Sequence, residues 1–283
     1  MVEESRLDQA FSPRPAGGIC APHKDASLTL AESRVPPLDA LSALFLDVDG
    51  TLLEIAPRPE LVQVPDGLPP LIILLSAERE GALALISGRP LAQLDQLFRP
   101  WRGAAAGLHG LERRRADGIL DRVVDRDSAA ALDRLRPRLA AVAADGIGLM
   151  LEDKGGTLAF HYRAAPQRET EIRTVVEALH REIASVLRLI TGKMVFEFQP
   201  RSFDKGRAIA AFLAEPPFVG RRPVFVGDDT TDEDGFAEIR RRGGIAVRVS
   251  PFDGATAANY RLPTVEAVVA WLASSVNVKH RQG

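Results

Sequence analysis

The sequence predicts an α/β protein: a doubly wound core on a parallel sheet, with a second, α+β unit inserted into it. Three observations predict this. Short unbroken apolar runs, among them Ala43-Leu44-Phe45-Leu46 and Pro223-Val224-Phe225-Val226, run straight into acidic groups, the pattern of strands buried on both faces. Helical patterns alternate with such runs toward both ends of the chain. Between residues 128 and 198 the rhythm changes to helix–strand–strand, twice in succession. A length of 283 residues, at roughly 150 per domain, suits two such units.

Residues 1–38 mix Pro, Gly, Ser and charge without a period and read as a flexible leader. The first strand spans residues 43–47. Residues 71–80 read as a helix, and 82–86 as a second strand ending on Ser87-Gly88-Arg89. Residues 90–98 form a helix with Pro90 in its first turn, where the missing N–H costs nothing. Residues 104–107 make a third strand. Residues 128–144 are amphipathic and rich in Ala, Leu and Arg, hence helical. Strands at 148–152 and 157–162 flank the turn Asp153-Lys154-Gly155-Gly156. A second amphipathic helix covers 166–183, and strands at 186–190 and 194–198 flank Thr191-Gly192-Lys193. The βα rhythm then returns: helix 205–214, strand 223–226 leading into Gly227-Asp228-Asp229, helix 232–241, strand 244–249 and a closing helix 264–274.

Composition narrows the function. Lys and Arg total 36 against 38 Asp and Glu, a net charge of −2, which argues against a nucleic-acid or anionic-membrane partner. The single cysteine, Cys20, has no internal partner, so a reduced, cytoplasmic setting is expected. The acidic start Met1-Val2-Glu3-Glu4-Ser5 leads into no apolar segment of the secretory kind. The densest apolar stretch, residues 68–75, is short and contains Pro69 and Pro70, far from the ~20 residues of a spanning helix.

The polar groups at the strand ends carry the chemistry. In an open parallel sheet, ligands sit beyond the carboxyl ends of the strands. Asp47 and Asp49, Ser87 and Arg89, and Asp228 and Asp229 should therefore meet at one edge. Four carboxylates from two strands repel one another unless a cation sits among them. Carboxylate and carbonyl oxygens favour a hard ion such as Mg2+, which takes a couple of carboxylates plus phosphate and water. An anionic substrate would then need the ion and nearby cations, for which Arg89 and Lys205 are available. Two alternatives are excluded. A calcium loop counted from Asp47 reaches Arg58 where Glu is needed. No Gly-x-x-x-x-Gly-Lys-Ser/Thr loop occurs.

Taken in order, Asp47-Val48-Asp49-Gly50-Thr51, Ser87, Lys205 and Gly227-Asp228-Asp229 resemble the four motifs of the haloacid-dehalogenase phosphohydrolase superfamily. The insert falls between the second and third motifs, where that superfamily's C2 cap belongs. Gly227-Asp228-Asp229-Thr230-Thr231-Asp232-Glu233 resembles the fourth motif of the trehalose-6-phosphate phosphatases. Glu152-Asp153-Lys154-Gly155, His161-Tyr162-Arg163, and Gly192-Lys193 with Glu197 resemble that family's cap signatures.

The resemblance implies a Rossmann-like core at 39–126 and 200–283, a C2-type cap at 127–199, and an Mg2+-dependent phosphatase releasing trehalose from trehalose 6-phosphate. Asp47 is expected as nucleophile, forming an aspartyl-phosphate; a carboxylate is ionised at neutral pH without an activating base. Asp49 is expected as general acid and base, and Ser87 and Lys205 as phosphoryl ligands. The metal is expected on Asp47, the Asp49 carbonyl and Asp228, with Asp229 and Asp232 in support. Arg89, Glu152, Arg163, Lys193 and Glu197 are expected to bind substrate. No role is assigned to His109, whose neighbour Leu108 stands where some relatives carry an acid, nor to His161 or Tyr162. A monomer is expected, with the cap acting as a lid hinged near 125–127 and 200–204. The rival readings are another C2-capped sugar-phosphate phosphatase, and a non-catalytic sugar-phosphate sensor.

Overall fold

The computed structural model describes residues 34–56, 61–122, 125–192 and 194–276. Among the described residues twelve strands form two sheets, and seven α-helices pack against them. The larger has the order β12-β11-β10-β1-β2-β3-β4-β5. Its centre is β1 (Ser42–Leu46), parallel to β10 (Arg222–Gly227) on one side and to β2 (Leu83–Ile86) on the other. The strands β3 (Ala104–Gly107), β11 (Ile245–Val249) and β12 (Tyr260–Leu262) extend the parallel set.

Alternation along β1 shows how the core is doubly wound. Leu44 and Leu46 pack with α1 (Leu68–Glu78), α2 (Leu91–Leu97) and α7 (Val265–Ser274). Ala43 and Phe45 face the other way, onto α5 (Lys205–Phe212) and α6 (Glu233–Arg241). Successive side chains of a strand point to opposite faces, so an unbroken apolar run serves two helix layers at once.

Several elements differ from expectation. Helix α1 begins at Leu68, because Pro69 and Pro70 occupy its first turn, where no N–H is needed. Pro90 caps α2 from outside rather than lying within it. A hairpin, β4 (Glu112–Arg114) and β5 (Leu120–Arg122), adds antiparallel strands to the sheet edge. It carries no apolar period; its arginines replace one, Arg113 lying over the Phe212 ring and Arg114 reaching Asp95 and the Gly103 carbonyl. Strand β12 is likewise an addition. At the other end of the chain, Val35 and Leu38 are buried in the core and Trp271 Nε1 donates to the Pro36 carbonyl, so the end of the expected leader is packed. Residues 1–33 lie outside the described residues.

The second sheet, in the order β6-β7-β9-β8, is antiparallel throughout. Its strands are β6 (Met150–Asp153), β7 (Leu158–His161), β8 (Leu187–Gly192) and β9 (Val195–Pro200). Helices α3 (Arg126–Ala144) and α4 (Glu169–Arg181) cover it through a core of their own that includes Leu135, Leu139, Val176, Phe196 and Phe198. The expected helix at 166–183 is a short 3-10 turn, Pro166–Arg168, followed by α4. Strand β8 continues to Gly192, so the second hairpin turns later than the sequence suggests. Tyr162 is buried and stacks on Phe196, a core residue of this unit. Among the described residues no helix is long and apolar enough to cross a membrane.

Candidate active site

The parallel pairing of β1 and β10 brings their carboxyl ends together, and the Asp47 N–H donates to the Val226 carbonyl at 2.9 Å. Asp47 and Asp228 thereby become neighbours. The chain then turns sharply, with Gly50 at φ +81° and its N–H on the Leu53 carbonyl. A Cβ on Gly50 would lie 2.0 Å from Asp228 Oδ2, so only glycine admits the carboxylate here.

Lys205 opens α5, where the helix dipole disfavours a cation. Two carboxylates outweigh that: Nζ donates to Asp47 Oδ1 at 2.7 Å and to Asp232 Oδ1 at 2.6 Å, all three groups being buried. Burial alone would lower the Lys205 pKa, but the charges of Asp232 and Asp47 raise it above the ordinary value. The other Asp232 oxygen accepts from the N–H groups of Asp228 and Asp229 at 3.0 and 2.9 Å. Asp232 thus holds both the lysine and the acidic loop. Asp229 is exposed and accepts from the Thr230 hydroxyl, stabilising the same turn.

Asp47, Asp228 and Asp232 each offer an oxygen, all within 4.8 Å of one another. Asp228 Oδ1 is buried with no hydrogen-bond partner. Burial, opposed by Lys205, pushes Asp47 up to about 7; burial and the charges of Asp47 and Asp232 push Asp228 up to about 8. A set of crowded, oxygen-only donors with one orphaned carboxylate fits a hard divalent cation. Since both Asp232 oxygens are already engaged, Asp47 and Asp228 are the carboxylates left for such an ion.

Above this cluster Asp49 lines a cavity of about 1270 Å³ between the two sheets. Both its oxygens are taken by Arg89, from Nε at 2.7 Å and Nη2 at 2.6 Å. Ser87 is buried, and its hydroxyl accepts from the Arg89 N–H rather than capping α2. The loop after β3 is laced onto this turn: Leu108 N–H donates to the Arg89 carbonyl and His109 N–H to the Ser87 carbonyl. Leu108, His109 and Gly110 all have positive φ, 49°, 56° and 106°. Such backbone costs a non-glycine residue roughly 1–2 kcal/mol and is held by those bonds.

The antiparallel unit supplies the opposite wall. Glu152 on β6 is half-exposed and accepts from or shares a proton with His161 Nε2 at 2.9 Å, a contact that draws its pKa below the ordinary value. Glu197 on β9 is half-buried, 2.8 Å from the Thr157 hydroxyl and 3.4 Å from Lys154 Nζ. Burial would raise its pKa, but Lys154, His109 and Thr157 together hold it below the usual carboxylate range. Arg163 lines the cavity and is exposed. Lys193 lies outside the described residues. Sequence reasoning named no role for Lys154, His109 or His161. Lys154 sits in the hairpin turn, where a lysine reads as solvated charge, and only the pairing of β7 with β9 places it beside Glu197.

The arrangement provides an acid fixed by a buried lysine, a partnerless carboxylate beside it, a second acid clamped by arginine, and a polar roof. Comparison with known proteins identifies the family. The trehalose-phosphatase family model matches residues 45–266. The trehalose-6-phosphate phosphatase of Escherichia coli K12 is 45% identical over 240 residues, 85% of this chain and 88% of that protein. A probable trehalose-phosphate phosphatase of Sinorhizobium fredii is 45% identical over 227 residues, 80% of this chain and 84% of that protein. In structure, the C-terminal domain of the Candida albicans trehalose-6-phosphate phosphatase superposes with a TM-score of 0.73 at 19% identity, covering 87% of this chain and 99% of that one, a likeness of fold.

Proposed function

This chain belongs to the trehalose-phosphatase family, and we propose that it hydrolyses trehalose 6-phosphate to trehalose and phosphate with Asp47 as the nucleophile. The observation that carries this reading is the buried Lys205 that fixes Asp47 at 2.7 Å beside the partnerless Asp228. As the bond from Asp47 to phosphorus forms, the bond from phosphorus to the sugar oxygen breaks, leaving an aspartyl-phosphate. Asp49 gives the departing oxygen its proton and then takes one from the water that splits the intermediate. Asp49 is free for this only when Arg89 releases it. A phosphate dianion is the stronger partner for a guanidinium, so substrate would draw Arg89 from Asp49 to the phosphoryl oxygens. Lys205 and the Ser87 hydroxyl bind those oxygens too.

The cation is proposed to be Mg2+, held by Asp47, Asp228 and the main-chain carbonyl of Asp49. Bound there, it neutralises phosphoryl charge. Asp229 and Asp232 support that set through the turn they stabilise. Glu152, Arg163, Lys193 and Glu197 bind the sugar hydroxyls, carboxylates as acceptors and cations as donors. This reading divides the chain into a catalytic core at 39–126 and 200–283, against which residues 35–38 are packed, and a cap at 127–199 that closes over the substrate. The two crossings are tied by the Ser202 hydroxyl on Asp125 at 2.7 Å, and Arg188 of the cap reaches Asp234 of α6 at 3.1 Å. A cytoplasmic monomer acting on a small molecule completes the proposal.

Phosphate release from trehalose, sucrose and mannosyl phosphates, with Mg2+ and with chelator, tests it. The expected result is turnover of trehalose 6-phosphate alone at high efficiency, and only with Mg2+. Equal rates on all three would return the broader sugar-phosphatase reading, and tight binding without turnover the sensor reading.

A further inference from the structure

The loop 108–110 holds a residue that the proposed chemistry does not use. We infer that His109 reads the leaving group: its Nε2 hydrogen-bonds an oxygen of the departing sugar, making it a specificity-determining residue on the core side of the cavity. This rests on the trehalose 6-phosphate reading of the site.

The backbone argument comes first. Leu108 and His109 are both held in the left-handed region, φ 49° and 56°, which side chains avoid. The strain persists because the loop is bonded to the carbonyls of Arg89 and Ser87, the turn that carries two proposed phosphoryl ligands. Position 88 is committed to the same ring, since a Cβ on Gly88 would lie 2.7 Å from His109 Nε2. The fold thus accepts two unfavourable residues, beside a glycine whose Cβ would press on the ring, with one imidazole on the cavity wall.

The ring's nitrogens differ. Nδ1 is sealed from solvent without a hydrogen-bond partner, whereas Nε2 is not sealed in this way, and the ring lines the cavity. Leaving a lone pair unpaired costs less than leaving a donor unpaired, so the proton belongs on Nε2. Burial, with Lys205, Lys154 and Arg188 nearby and against the opposing pull of Glu197, pushes the His109 pKa down to about 4. The imidazole is therefore neutral at physiological pH and adds no charge beside the phosphoryl group. What it offers is one N–H on a cavity also lined by Arg89 and Lys154, within reach of the charges of Lys154 and Glu197, which suits a hydroxylated carbon skeleton. The leaving group of p-nitrophenyl phosphate carries no hydroxyl, only its ester oxygen and a weakly accepting nitro group, and a site built to bond a hydroxyl discriminates against a ligand without one.

The test compares kcat/KM on trehalose 6-phosphate and on p-nitrophenyl phosphate, in the Mg2+-supplied enzyme, for wild type, His109→Gly and His109→Asn. Glycine removes the ring and suits the left-handed backbone; asparagine tolerates that backbone and keeps an N–H. The expected result is that His109→Gly lowers the ratio of the two efficiencies by about tenfold or more, mainly through KM for the sugar phosphate, with His109→Asn between it and wild type. Both efficiencies falling together would show a structural role and overturn the inference, as would an unmoved ratio. If the glycine variant does not fold, the asparagine variant decides on the same ratio. Wild type that cleaves the aryl phosphate but not trehalose 6-phosphate would sink the substrate reading and this inference with it. Wild type active on both, with variant ratios equal to its own, sinks the inference alone.

Discussion

Lys205 is held between two acids, and the two do different work. Asp47 is the proposed nucleophile, and Asp232 keeps Lys205 and the Asp228-Asp229 turn in place through both its oxygens. Replacing Asp47 by Asn should abolish turnover while the protein still folds, because the amide keeps the shape and can still accept from Lys205. Replacing Asp49 by Asn should cost about 10²-fold or more in kcat, the usual worth of a general acid. Steady-state rates, with circular dichroism to confirm folding, check both; a rate within tenfold of wild type removes that residue from its role. Asp232→Asn leaves a buried lysine short of a charge and should destabilise by about 3–5 kcal/mol, the cost of breaking a buried pair. Chemical denaturation reads it, and a loss below about 1 kcal/mol would contradict the account. At this scale the sequence was informative where a residue sits at the end of a strand or helix, as Asp47, Asp228 and Lys205 do. It was silent on pairs made by folding. Arg89 and Asp49 are 40 positions apart, and nothing local announces their bidentate contact. His109 has no role in the sequence reading because Leu108 stands before it where some relatives carry an acid; its left-handed backbone exists only in three dimensions.

Among the elements, β1 does most to define the site, since its last residue is followed at once by Asp47. Phe45 is fully buried, stacked on Phe218 at 5.4 Å between centroids and near Phe212 at 6.1 Å. Phe45→Ala should cost about 3–5 kcal/mol in unfolding free energy. A urea midpoint unchanged within error would mean that this face is not the packed core described here. The strands β1, β2, β3, β10 and β11 were legible because apolar runs buried on both faces leave a clear signature, whereas β12, three residues long and half-buried, leaves none. The hairpin of β4 and β5 was not, because Glu112-Arg113-Arg114 is charged throughout and gains its place from ion pairs and the Phe212 ring. The start of α1 was misread for the opposite reason: two prolines that break a helix interior are favourable in its first turn.

Across the molecule, the acidic cluster links metal, protons and stability. Asp47 and Asp228 titrate at about 7 and about 8 in the folded chain without metal, against an ordinary 3.8. The folded state therefore holds more protons than the unfolded one between about pH 4 and pH 8, and these two groups make stability fall as pH rises through that window. Lys205 has the same sign in a higher window: its raised pKa contributes stability that is fully present below 10.5 and is lost only above it, so it does not alter the trend between pH 4 and 8. A cation among the carboxylates removes the penalty. The gain in thermal midpoint on adding Mg2+ should thus be larger at pH 8 than at pH 5; a gain independent of pH would place the ion elsewhere. The central claim is that Asp47 carries the phosphoryl group, and trapping it is the most direct test. Wild-type enzyme turning over trehalose 6-phosphate with Mg2+ is quenched in acid, digested and analysed by mass spectrometry. The account predicts a phosphoryl group on Asp47, absent when Asp47 is replaced by Asn. Turnover with no phosphorylated peptide, together with an active Asp47→Asn enzyme, would contradict it.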